Sequence, residues 1–248
     1  MMLKHTLSCT IAVLALTAAN SQAASGSHWG YAGEAGPAHW GEIDPKFAPC
    51  TAGLNQSPID IAATIDAELP PIKVSYGAAG TEILNNGHTI QVNVAPGSTL
   101  ALDGKTFELK QFHFHAPSEN LIDGRSHPLE AHFVHGDADG HLAVIGVMFA
   151  EGEPNQVIAA LWEAMPKESG AKQPLAKPVD PNALMPADRD YYRYNGSLTT
   201  PPCTEGVRWL VMKAPLSISK AQAETFMAAM HGPTNRPVQQ VNARPVLR

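Results

Sequence analysis

From Gln111 to His115 polar and aromatic side chains alternate without a break: Gln-Phe-His-Phe-His. Successive residues of a β-strand point to opposite faces, so the alternation predicts a strand with Gln111, His113 and His115 on one side and Phe112 and Phe114 on the other. A second run, Glu130 to His135, puts Glu130, His132 and Val134 on a common face by the same parity. The segment between the runs is long enough for the chain to turn and come back as a neighbouring strand. Three imidazoles could then converge on one point, above a sheet whose reverse face is apolar.

The remaining texture agrees with a sheet. Short apolar or alternating runs at 88–94, 141–149 and 207–213, broken by Gly, Pro and Asn, read as further strands. Two stretches read as helices: 155–165, opened by Asn155 and stopped by Pro166, and 219–231, where Ser219 and Gln222 can form a capping box ahead of Gly232. No linker divides the 248 residues, and there is no internal repeat; the Pro-rich stretch 174–186 reads as a surface loop. Strands outnumber helices, so these patterns predict a mainly β (α+β) fold in a single domain.

Hydrophobic residues at 44% and charged residues at 16% allow a sizeable core. A net charge of −6 carries no basic excess that would suggest nucleic acid, so the expected partner is a small molecule. At the N-terminus Lys4 and His5 precede an apolar run, Ile11 to Ala19, too short to span a bilayer. Ser21-Gln22-Ala23 follows, with small residues where a signal peptidase reads. A leader over 1–23 is expected, with cleavage after Ala23 and Ala24 as the alternative. Cys9 is poorly placed for a lipoprotein, because the apolar run follows it. An exported chain, periplasmic or secreted, is therefore expected, with no membrane span.

Cleavage would leave two cysteines, Cys50 and Cys203. In an oxidising compartment an even pair is expected to form a disulfide, the alternative being two buried free thiols. Closing a loop of about 150 residues could stabilise the fold by up to ~5 kcal/mol in the chain-entropy model.

Neutral imidazole suits Zn²⁺, and three protein ligands leave the fourth tetrahedral position open, as in catalytic rather than structural sites. His113, His115 and His132 are the expected ligands. Gln111 and Glu130 are candidate acceptors for the ligands' remaining N–H groups. A rival is the first metal motif of cupin oxygenases, His113-x-His115 with Glu119 four residues on, in which Glu119 would bind iron or manganese. Against it, no glycine stands six residues before His113, and no Pro-x-Gly segment leads into a later lone histidine.

Six segments together carry a specific resemblance: His-Trp-Gly-Tyr at 28–31, Asn-Gln-Ser-Pro-Ile-Asp-Ile at 55–61, Leu-Asn-Asn-Gly-His at 84–88, 111–120, 130–135, and 194–211 with its Thr-Thr-Pro-Pro-Cys-Thr core. In this order the chain resembles an α-class carbonic anhydrase of the bacterial, exported type over nearly its whole length after the leader. The resemblance implies a catalytic domain over 24–248, built around a large, mostly antiparallel twisted central β-sheet with short surface helices, monomeric or homodimeric, that converts CO₂ and bicarbonate. Zinc would lie on His113, His115 and His132, and a hydroxide generated there would attack CO₂. Thr199 would be the gatekeeping hydroxyl, donating its proton to Glu119 so that its oxygen can only accept from the nucleophile. The apolar CO₂ pocket would fall on Val134, Val144, Leu198, Val207 and Trp209, with Thr200 contacting bicarbonate. Weak esterase activity would be secondary. A silent binding module of the same fold is the remaining alternative, and such proteins typically lack zinc histidines that are intact here.

His88 follows the turn signal Asn85-Asn86-Gly87 and matches the family's proton-shuttle position. Strict alternation over 88–94 would put it with Ile90, Val92 and Val94, opposite Gln91, unless the strand begins after the turn. His39, His127, His141 and His231 read as surface residues, and His28 and His135 have no catalytic role derivable from sequence.

Overall fold

The computed structural model describes residues 28–248. The expected leader, its cleavage site and Cys9 lie outside the described residues. In chain order the strands are β1 (Asp60–Ile61), β2 (Lys73–Tyr76), β3 (Gly80–Asn85), β4 (Ile90–Val94), β5 (Ser98–Leu102), β6 (Lys105–His115) and β7 (Leu121–Ile122). They continue as β8 (Leu129–Gly136), β9 (Leu142–Glu151), β10 (Lys172–Val179), β11 (Tyr191–Ser197), β12 (Glu205–Met212) and β13 (Leu216–Ile218). Four α-helices accompany them among the described residues: α1 (Trp40–Ile43), α2 (Pro49–Ala52), α3 (Gln156–Glu163) and α4 (Lys220–Ala229).

Eleven of these strands form one sheet, whose main path runs β10-β3-β4-β6-β8-β9-β12-β11. β13 pairs with β9, while β5 joins β2 to β6. Pairing is antiparallel except where β9 meets β12 and β13 in parallel, so the sheet is mixed and mostly antiparallel, and it is twisted. The histidine strands are neighbours: β6 pairs with β8 so that His113 faces His132 and Phe112 faces Phe133.

That register separates the sheet's two chemistries. Phe112, Phe114 and Phe133 are fully buried in the larger apolar core with Ile83, Leu100, Phe107 and Ile145. α3 and α4 cover part of that face: Trp162 meets Phe114 edge-on at 5.1 Å, and Phe226 stacks on Trp162. The helices begin as sequence predicts. Asn155 accepts from Val157 and Ile158 N–H, and Ser219 and Gln222 form the capping box. Gln222 also exchanges two hydrogen bonds with the Asn155 backbone, at 2.9 and 2.7 Å, tying the two helix starts together.

The stretch 174–186 departs from its loop reading. Lys172–Val179 is β10, at the end of the sheet path beside β3, and a short 3₁₀ turn follows over Pro181–Leu184. Proline lacks an N–H for the ladder but is tolerated on an edge strand with one free side, and here the register shifts between Pro174 and Val179. Near the other end, Cys50 of α2 and Cys203 are joined by a disulfide with Cα atoms 5.0 Å apart, packed against Trp40.

Candidate metal centre

β6 and β8 deliver His113, His115 and His132 to one point, where one nitrogen from each lies within 4.8 Å of the others. Each imidazole is oriented through its other nitrogen. His113 Nδ1 meets Gln111 Oε1 at 2.8 Å, and His115 Nδ1 meets the Thr234 carbonyl at 2.6 Å. His132 Nε2 stands 3.0 Å from Glu130 Oε1, close enough to pair, though less well aligned than a full hydrogen bond. The nitrogens left to converge are His113 Nε2, His115 Nε2 and His132 Nδ1. Among the described residues His115 Nε2 is buried with no hydrogen-bond partner, leaving a lone pair that a cation could take.

Burial lowers the pKa of all three histidines. It is the largest cause in each case, reinforced at His113 by His115 and His132 and at His132 by His115, and opposed at His115 by the Thr234 carbonyl. The imidazoles are thus held neutral, the form that donates a lone pair to a cation. Behind them Glu130 is buried and heavily bonded: Oε2 accepts from Glu119 N–H and Asn120 N–H, and Oε1 from the Asn120 amide.

Glu119 lies beneath the triad. Its Oε2 is 3.5 Å from His115 Nε2, and its Oε1 accepts from Arg236 N–H at 2.8 Å. Burial pushes its carboxyl well above the usual range, opposed by the Arg236 N–H and the Thr199 hydroxyl. Thr199 therefore lies near enough to bias Glu119, although among the described residues Oε2 has no partner of good hydrogen-bond geometry. Arg236 is itself buried and anchored by Gln56 Oε1 and the Ser57 and Cys50 carbonyls.

The carbonic anhydrase family model, of the type described as eukaryotic, matches residues 35–248. The chain belongs to the α-class carbonic anhydrases. The carbonic anhydrase of Pectobacterium carotovorum is 47% identical over 238 residues, covering 96% of this chain and 98% of that one. Among solved structures, α-carbonic anhydrase from Thermovibrio ammonificans, in complex with the inhibitor sulfanilamide, aligns with a TM-score of 0.88 and 49% identity over 90% of this chain and all of that one. The Photobacterium profundum α-carbonic anhydrase aligns with a TM-score of 0.85 and 52% identity, over 89% and 100%. Membership of this family supports hydration of CO₂ and does not favour the cupin or silent-module readings.

Other residues to which the carbonic anhydrase resemblance gives roles fall around the triad. Val144, Val207 and Trp209 are buried in one apolar cluster against which Val134 and Leu198 pack, and the edge of Trp209 meets His132 at 4.8 Å. A cavity of about 130 Å³ opens over the triad, lined by His113, His115, Gln111, Gln91, Thr200 and His88, among others. β4 begins at Ile90, so His88 is free of the strand's parity and turns to the cavity side. It also lines a wider depression of about 480 Å³ with His28 and His231, so it sits where the inner cavity meets the outer one.

Sequence reasoning gave no role to four contributors. Thr234 orients His115 from 119 residues away, Arg236 anchors Glu119, Asn120 fixes Glu130, and Trp29 stacks on His88. Only Asn120 and Trp29 stood within the quoted motifs, and nothing in those motifs indicated their contacts. His127 is half-buried rather than a plain surface residue, and its Nδ1 has no hydrogen-bond partner among the described residues.

Proposed function

We propose that this chain is a zinc enzyme catalysing reversible hydration of CO₂ to bicarbonate and a proton, exported to an oxidising compartment. The observation that carries the reading is the convergence of three neutral imidazoles, each oriented through its second nitrogen by an oxygen acceptor. His113, His115 and His132 would hold the metal, and the buried His115 Nε2, without a hydrogen-bond partner among the described residues, fits such a ligand. Bound there, zinc supplies a Lewis acid that brings the pKa of a water to about 7, an effect for which carbonic anhydrases are the reference case, and a positive charge that favours Glu119 as carboxylate.

The protein's own contribution is direction, dryness and proton export. With its proton committed to Glu119, the Thr199 oxygen acts only as an acceptor and aligns the attacking oxygen toward CO₂. Val134, Val144, Leu198, Val207 and Trp209 offer an apolar wall beside the triad for an uncharged substrate. Thr200, on the cavity lining, would contact bicarbonate. His88 relays the proton between the inner cavity and the outer depression. Export is supported by the sequence of 1–23 and by the Cys50–Cys203 disulfide, which persists in oxidising compartments.

Metal analysis of the purified protein tests the reading. One zinc per chain is expected, and His132→Ala should lose both tight zinc binding and CO₂ hydration. Full activity in a metal-free preparation would refute it.

A further inference from the structure

Gly146 lies in β9 directly opposite His132 of β8, and directly opposite Val211 of β12 on its other side. A β-strand glycine in a sheet interior gives up packing and costs conformational entropy, so its presence asks for a reason. Here the reason is close approach. A Cβ built on Gly146 would meet Glu130 Oε1 at 3.0 Å, Val211 Cγ2 at 3.5 Å and Trp209 Cζ3 at 3.8 Å. Only the first is too tight. The atom it would press is the carboxylate oxygen that faces His132 Nε2 at 3.0 Å.

Whether the contact matters depends on whether Glu130 can yield, and its bonding says that it cannot. Oε2 is held by Glu119 N–H at 2.8 Å and Asn120 N–H at 2.9 Å, and Oε1 by Asn120 Nδ2 at 2.8 Å. Asn120 is fixed in turn, its Oδ1 accepting from Ile59 N–H and from the Tyr194 hydroxyl. A methyl group at 146 would therefore move Oε1 off His132 or rotate the imidazole with it.

We propose that Gly146 is a positioning residue of the metal centre: its missing side chain leaves the space in which Glu130 Oε1 orients His132. This rests on the reading of His113, His115 and His132 as zinc ligands. The test is zinc affinity by chelator competition, with far-ultraviolet circular dichroism on the metal-free protein to follow folding. Losing an outer contact to a zinc ligand typically weakens binding by 10–100-fold, so Gly146→Ala should weaken it by about tenfold or more. In a Glu130→Asp background, where the carboxylate is one methylene shorter, Gly146→Ala should cost less than about twofold, the non-additivity expected of groups in contact. Val211→Ala, which relieves the second-nearest contact, should restore nothing. If Gly146→Ala fails to fold, Glu130→Asp but not Val211→Ala should restore folding. An unchanged affinity in Gly146→Ala, an equal loss in both backgrounds, rescue by Val211→Ala, or, where Gly146→Ala fails to fold, no rescue of folding by Glu130→Asp, overturns the proposal. Failure of the wild-type protein to bind zinc would instead overturn the metal reading beneath it.

Discussion

Trp29 lies flat on His88, their ring centroids 3.7 Å apart and their planes within 8° of parallel. The indole forms one wall for an imidazole placed where the inner cavity opens outward. Burial, and then nearby His28, lower the His88 pKa, so near neutral pH the ring is mostly neutral.

Proton release sets the first expectation. A group of pKa about 7 can pass its proton to bulk water at only roughly 10³ per second, taking recombination near 10¹⁰ per molar per second. Faster turnover needs a local acceptor. His88→Ala should lower kcat by about tenfold or more in weak buffer, leave kcat/KM nearly unchanged, and recover with added imidazole. A variant with wild-type kcat in weak buffer would remove His88 from the relay.

Thr199 gives the second. Replacing it with Val keeps the shape but removes the hydroxyl beside Glu119. Zinc content should stay at one per chain while CO₂ hydration slows by roughly a hundredfold, the usual scale for a lost proton-relay group. Unchanged turnover in stopped-flow assays would show that Thr199 does not direct the nucleophile.

The third concerns the disulfide between Cys50 and Cys203, 153 residues apart in sequence. Chain entropy puts its contribution at up to ~5 kcal/mol. Cys203 N–H also bonds the Thr200 carbonyl, and the Cys203 carbonyl accepts from Gln56. Reduction should therefore lower the Tm and raise hydrogen exchange around Thr199 and Thr200. An unchanged Tm after verified reduction would contradict this.

The fourth is a pH dependence with a defined sign. His135 is fully buried on the core side of the sheet, its Nε2 2.8 Å from the Tyr76 hydroxyl, and burial pulls its pKa down to about 4. An unfolded histidine titrates near ~6.5. Because the folded value is the lower one, the stabilisation is fully present above about 6.5 and is lost as pH falls through about 4; it is worth about 3 kcal/mol at most. Denaturant unfolding at pH 7 and pH 5 should show a smaller pH effect in His135→Asn than in the wild type. Equal pH effects would show that His135 is not the titrating group.

How much of this was legible in the sequence follows from the range of each interaction. The parity of Gln111, His113 and His115, and of Glu130 and His132, is a property of extended backbone, and the β6–β8 register keeps it. The same local logic found both helix starts, since Asn155 and the Ser219–Gln222 pair act within three residues. It failed where contacts join distant segments. Thr234 and Arg236 reach the site from a C-terminal segment without regular structure, and no period or spacing could connect them to His115 or Glu119. Pro174 and Pro178 suggested a loop because proline weakens a ladder, yet an edge strand needs hydrogen bonds on one side only.

The central claim is that catalysis depends on a metal held by His113, His115 and His132. Its most direct test is stopped-flow CO₂ hydration by the protein stripped of metal with a chelator, dialysed, and then titrated with zinc. Activity should vanish on stripping and return in proportion to zinc, saturating at one equivalent per chain. Hydration that survives complete metal removal, or that zinc fails to restore to correctly folded protein, would contradict the account.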